Sequence, residues 1–279
     1  MAAVYGDAHR RRPRAVATSS SRIYEEAEHA VDHHVWFVLG VLLGNGIGSL
    51  LAVFCLVRMT DQRRTVRNRL LLVLVAAWAL IETARDDMLF VAATTIHMSD
   101  YEVHFFLAPS MGLTAIAVLF TVGIFWFAAA HPRPLWTIGG GIAAGLLMTA
   151  MSLQAAFSGR TDTSTTIDVA NAAMIAAGLG VTTGMAVWLG TGATSRQARA
   201  TAVTLLAVGL TIVQYLISAE VTTDPSVTVN SDAGINPVQL AVFTAVAFGV
   251  RAIALTVMSM IEEGRPDPAA DQIDVHGIR

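Results

Sequence analysis

Residues 70–93 read LLLVLVAAWALI, then ETARDD, then MLFVAA. Twelve apolar residues at 1.5 Å per residue give about 18 Å of helix, which sets Glu82, Arg85, Asp86 and Asp87 in the far third of a segment of bilayer length. Insertion scales assign about 2.5–3.5 kcal/mol to an Asp or Arg at the centre of a spanning helix. The cluster therefore requires partners, water or an interfacial position. The stretch reads as a membrane helix that carries its own ionisable site.

The composition agrees. Residues are 54% hydrophobic and only 14% charged, with long uncharged runs, which describes an all-α, polytopic membrane protein whose solvent is the lipid bilayer. All eighteen basic residues are arginine. A retinal Schiff base needs a lysine amine, so a rhodopsin-type pigment is excluded, and no other cofactor is identified. A single cysteine, Cys55, leaves no intramolecular disulfide and no CxxC motif. There is no HExxH, GxSxG or GxxxxGK[ST] sequence and no basic domain with an aromatic stacking face, so neither an enzyme nor a nucleic-acid binder is expected.

Hydropathy divides the chain into a polar N-terminal tail with a juxtamembrane segment (1–34), a seven-helix membrane domain (35–262) and a disordered cytoplasmic tail (263–279). The spans are 35–57, 70–95, 104–130, 135–157, 168–190, 201–220 and 237–261. No apolar signal-peptide core follows the basic run at residues 10–14, so the first span is expected to be retained. Arg58, Arg63, Arg64, Arg67 and Arg69 follow helix one, Arg133 follows helix three, Arg196 and Arg199 follow helix five, and Arg265 follows helix seven. The other face has only Arg160 in its loops. The excess of arginine marks the cytoplasmic side, so the chain is expected in the cytoplasmic (inner) membrane with its N-terminus outside and its C-terminus inside.

Several residue groups are candidates for function. Glu25, His29 and His33 are spaced four apart in a segment that reads as a juxtamembrane helix, and His97 and His104 also fall on the outer side. They are a metal-binding or pH-sensing group titrating near about pH 6, or a solvated interfacial face. Gly40, Gly44 and Gly48 form a small-residue stripe on helix one, for packing within the chain or for a homodimer seam. Met148 and Met151 read as core packing. Arg251 lies about fourteen residues into helix seven, where its long stem reaches toward the headgroups or finds a buried partner such as Asn45 or Asn171.

An internal repeat is visible in the spans. Odd helices end at aromatic and basic or proline-containing turns; even helices end in polar or small breaks, LIETARDDM, LMTAMSLQAAFSG and LTIVQYLISAE, which recur about 64 to 68 residues apart. Three two-helix units plus a closing helix account for the pattern. The layout resembles the seven-helix MHYT-domain family of bacterial membrane sensors over residues 35–262. In that likeness Met151 and Ser152 stand at the Met and His positions of the second unit, Tyr215 and Leu216 at those of the third, and Thr83 and Ala84 at those of the first. The resemblance implies a signalling module and, in the family, copper-linked sensing of a small ligand. All three histidines are absent here, so that ligand set does not carry over and no tightly bound copper is expected inside the bundle.

Two functions follow from these features. One is a sensory or regulatory membrane module without its own output domain, speaking to a cytoplasmic protein partner through the 58–69 loop. The other is a small-solute or ion permease with a polar path from the outer cluster toward Arg251. The three-unit arrangement brings the ends of the even helices together, so Glu82, Arg85 and Asp86 are expected to share one polar pocket with Gln154, Gln214, Ser218 and Glu220.

Overall fold

The computed structural model describes residues 17–60, 65–96, 104–105, 107–131, 133–160, 164–192, 195–224 and 237–263. Its helices are α1 (Ala17–Met59), α2 (Val66–Ile96), α3 (Leu107–Ala130), α4 (Pro134–Ser158), α5 (Val169–Gly192), α6 (Arg196–Glu220) and α7 (Pro237–Glu263). The described residues up to 40 form one compact unit and those from 41 onward another. The fold is an all-helical, polytopic membrane bundle. Among the described residues six helices are long and apolar enough to cross a bilayer. Helix α2 has 31 residues, about 46 Å at the helical rise, and carries Glu82, Arg85, Asp86 and Asp87 near mid-length.

Local sequence explains most of the boundaries. Asp168 Oδ2 accepts from Asn171 N at 3.2 Å and so caps α5 from outside. Ser195 Oγ accepts from Ala198 N at 3.2 Å, which starts α6 at Arg196, five residues before the apolar run that begins at Thr201. Thr65 Oγ1 accepts from Asn68 N at 3.3 Å at the start of α2. Pro134 and Pro237 occupy first helical positions, where a missing N–H costs nothing.

Two expectations are corrected. The separate juxtamembrane helix and helix one are a single helix of 43 residues, because no residue between His29 and Val35 breaks helical geometry. Helix three starts at Leu107 and not at His104, since His104 and Phe105 form strand β1 (His104–Phe105), paired antiparallel with β2 (Gly159–Arg160). A second ladder joins β3 (Ser164–Thr166) to β4 (Thr222–Asp224). The chain leading into α3 is thus tied to the end of α4, and the chain leading into α5 to the end of α6.

Helix α2 packs against α3, α4, α6 and α7. Leu72, Val73, Ala76, Ala77, Ala79, Leu80 and Ile81 are all at most 5% exposed, while Leu71 and Leu74 on the outer side are 52% and 41% exposed. The even helices α2, α4 and α6 touch one another. Met148 and Met151 belong to this core.

Helices α4 and α5 approach one another backbone to backbone. A Cβ at Gly141 would lie 2.7 Å from Gly184 Cα, and one at Gly145 would lie 2.8 Å from Gly180 Cα. Each helix therefore contributes a small-xxx-small pair to this contact. Gly145→Val is expected to cost about 1–3 kcal/mol through overpacking against backbone that cannot yield. Gly178→Val, whose Cβ meets nothing within 4 Å, is the matched control. Thermal melting of the purified variants checks this, and equal midpoints would rule out so close a contact.

Candidate functional site

Helical geometry sorts the polar residues of ETARDD onto two faces of α2. Glu82, Arg85 and Asp86 occupy one face; Thr83 and Asp87, four residues apart, occupy the other.

On the first face Arg85 acts as a fork. Its Nη2 lies 2.7 Å from Glu82 Oε2 and donates to Asp86 Oδ1 at 2.7 Å, and its Nε donates to that same oxygen at 3.0 Å. Its Nη1 donates to Thr114 Oγ1 on α3 at 3.1 Å. Thr114 donates in turn to Ser110 O at 2.8 Å, and Ser110 Oγ donates to Gln154 Oε1 on α4 at 2.9 Å. The Phe243 ring of α7 sits 5.9 Å from the guanidinium carbon, within range of a cation–π contact. The side chains of Arg85 and Asp86 are 3% and 1% exposed, whereas Glu82 is 18% exposed. Glu82 is accordingly the member of this group that reaches the exterior.

On the second face Arg251 of α7 donates from Nη2 to Asp87 Oδ1 at 3.0 Å and from Nη1 to Thr83 Oγ1 at 2.6 Å. Arg251 is 1% exposed, so it does not snorkel. Neither Asn45 nor Asn171 is its direct hydrogen-bond partner among the described residues; the carboxylate of Asp87 is. A guanidinium near the middle of a spanning helix is held there by an opposite charge and a hydroxyl, as the cost of desolvation requires. Gln214 of α6 donates from Nε2 to Thr83 O at 3.4 Å. Asn45 Nδ2 of α1 donates to Gln214 Oε1 and Thr211 Oγ1, both at 2.8 Å. Asn45, Thr83, Asp87, Thr211, Gln214 and Arg251 thus form one network across α1, α2, α6 and α7.

Two glycines of the α1 stripe make room for this network. A Cβ at Gly44 would lie 2.6 Å from Asp87 Oδ2, and one at Gly48 would collide with Thr83 Oγ1. Gly44 and Gly48 therefore seat polar side chains of α2, while Gly40 has nothing within 4 Å of its Cβ position.

Among the described residues three buried atoms of this second group have no hydrogen-bond partner: Asp87 Oδ2, Arg251 Nε and Asn45 Oδ1. Two are acceptors and one is a donor. The complement of such a set is water or a small neutral polar molecule. A cation would meet Arg251, and an anion would meet Asp87.

The single convergent pocket expected from the sequence is therefore two networks on opposite faces of one helix. Gln154 joins Glu82, Arg85 and Asp86 through Ser110 and Thr114. Gln214 belongs to the Asp87–Arg251 group instead. Glu220 accepts from Asn171 Nδ2 at 2.8 Å and lies in neither network, because its position at the end of α6 faces the start of α5. Ser218 is half-buried on α6. Among the candidate metal ligands, His97 and the side chains of His29, His33 and His104 lie outside the described residues; within those residues no group of three metal-ligating side chains occurs. Of the positions set by the internal repeat, Ser152 Oγ donates to Ala84 O at 3.0 Å, so the first and second units meet there. Leu216 of the third is 45% exposed.

On α1 and α2 an apolar layer lies between both networks and the arginine-rich end. It consists of Leu72, Val73, Ala76, Ala77, Ala79, Leu80 and Ile81 of α2 together with Leu51, Ala52, Cys55 and Leu56 of α1, none more than 5% exposed. Sequence comparison finds no matching family model and no matching curated protein, and structural comparison finds no matching solved structure.

Proposed function

We propose that this chain is an integral membrane sensory or regulatory module of MHYT-like layout, acting on a cytoplasmic protein partner through the 58–69 loop. One observation carries the reading: Glu82, Arg85, Asp86 and Asp87 of α2 are consumed in ion pairs, two within α2 and one that fastens α7 to it, behind the apolar layer of buried α1 and α2 residues, while Arg85 also holds α3 through Thr114. A permease needs a polar path that continues to the other side, and this layer opposes one. A buried polar group with mixed donors and acceptors suits a site that responds to its contents by shifting helices. Residues 61–64 of the loop lie outside the described residues; Arg67, on its far side, is exposed.

The test has two arms. Affinity capture from the native host should return a cytoplasmic protein that is lost when Arg63, Arg64 and Arg67 are replaced by glutamine. Purified protein in liposomes should pass neither protons nor small ions faster than empty vesicles. Steady flux abolished by Arg251→Gln would replace the sensory reading with the permease.

The proposed orientation places the arginine-rich turns inside. In a Cys55→Ser background, a cysteine at Ser164 is expected to react with an impermeant maleimide in intact cells, and one at Gln62 only after lysis. Labelling of position 62 in intact cells reverses the topology.

A further inference from the structure

The ion pair between α2 and α7 is only half closed. A guanidinium meets a carboxylate best through two parallel N–H···O bonds. Arg251 Nη2 donates to Asp87 Oδ1 at 3.0 Å, yet the next atoms on the same two planar groups, Arg251 Nε and Asp87 Oδ2, are buried and have no hydrogen-bond partner among the described residues. The remaining guanidinium nitrogen, Nη1, is committed to Thr83 Oγ1 at 2.6 Å. A third such atom stands on α1. Asn45 Nδ2 donates to Thr211 Oγ1 and Gln214 Oε1, and both partners are fixed as acceptors: Thr211 gives its own proton to Ala207 O at 2.8 Å, and Gln214 donates from Nε2 to Thr83 O at 3.4 Å. The amide is thereby held in one orientation, and its buried carbonyl Oδ1 receives nothing. The α1 turn that carries it lies against Asp87, since a Cβ on neighbouring Gly44 would be 2.6 Å from Oδ2. The side chains of Arg251 and Asp87 are 1% and 10% exposed and Asn45 is 0% exposed, so bulk solvent does not serve these atoms.

We propose that one water molecule is bound between these three atoms, accepting from Arg251 Nε and donating to Asp87 Oδ2 and Asn45 Oδ1. The bond count is that of a buried water, which makes about three hydrogen bonds to groups the protein leaves unpaired. An unmade bond at a buried polar atom is costly, and a single molecule removes three such costs. A larger solute does not suit the same place. Nε and Oδ2 flank a contact of 3.0 Å, so a molecule with two or more heavy atoms enters between them only if the ion pair parts. The bridge closes the second arm of the pair and adds α1 to it. Asn45 itself bonds α6, so the water is what carries the α1 turn at Gly44 and Asn45 onto the pair that holds α7. The inference rests on the geometry of the pair and stands whether the module senses or transports.

A cryo-electron microscopy map of the full-length protein in lipid nanodiscs, at a resolution that shows ordered water, tests it. One isolated peak is expected at about 2.7–3.2 Å from each of the three atoms. Three ordered side chains with no peak between them, a direct bond from Arg251 Nε to Asp87 Oδ2, or continuous density for a solute of several atoms overturns the proposal. Asn45→Leu, which removes the carbonyl and keeps a side chain of similar size, should lose the peak while the contact between Arg251 and Asp87 stays near 3.0 Å. An unchanged peak in that variant overturns the three-way bridge. Where Asn45→Leu does not fold, the map of the unaltered protein decides alone.

Discussion

Arg251→Ala is expected to lower the stability of the detergent-purified protein by about 3–5 kcal/mol, the usual consequence of breaking a buried ion pair from one side. The substitution leaves Asp87 in a seat made by Gly44, without its ion-pair partner and, among the described residues, with no donor for Oδ2. Helix α7 has few other ties, since only 11% of its apolar stretch is buried. A loss of this size lowers the melting midpoint by on the order of 10 °C in a chain of this length. Arg67→Ala, an exposed arginine on the same helix as Asp87, should stay within about 0.5 kcal/mol of the parent. The double variant Asp87→Asn with Arg251→Gln should recover part of the loss, because two amides hydrogen-bond without a net charge. A double-mutant cycle with coupling below about 0.5 kcal/mol would show that the pair does not hold α7.

Arg85→Ala is expected to do at least as much damage, because it removes a guanidinium from between two carboxylates. Glu82 and Asp86 would then face each other without a counter-charge, and Thr114 would lose its donor. Arg85→Lys should not restore the parent. The ammonium is a point charge and cannot hold Asp86 through two nitrogens while also reaching Glu82 and Thr114. Membrane-inserted yield, read by fluorescence-detected gel filtration, should fall for both Arg85 variants and stay at the parental level for Arg160→Ala, which changes a loop charge. Parental yield and melting behaviour for Arg85→Ala would remove this network from the forces that hold α3.

Much of the bundle was legible in the sequence, because bilayer length and apolar composition act on each span separately. The runs that became α4, α5 and α7 differ from their expected bounds by two residues or fewer at each end. The need of ETARDD for partners was also legible, since the cost of burying four ionisable groups follows from depth alone. What was not legible is which helix answers which face of α2. Arg251 was placed by counting down from Pro237, a one-dimensional measure that gives its depth and says nothing of Asp87, 164 residues earlier in the chain. The glycines of α1 signalled close packing, but a glycine seats a backbone or a polar side chain equally well. Gly44 does the second, and the backbone contact proper belongs to Gly141, Gly145, Gly180 and Gly184. Gln214 and Glu220 sit six residues apart on α6, enough of a turn to deliver one to α2 and the other to α5.

The distance along the chain between Asp87 and Arg251 also has a meaning in time. A ribosome adding about 5–20 residues per second needs roughly 8–30 s to make the 164 residues between the acid and its base. Throughout that interval α2 has left the ribosome with Asp87 unanswered, and lipid is a poor place to wait. Arg85 travels with its own carboxylates and is neutralised at once, so its ion pairs form locally while the second network is closed only when α7 is made. Insertion of α2 is thereby provisional until α7 arrives, and nascent chains cut short before Arg251 should be the ones that membrane quality control removes.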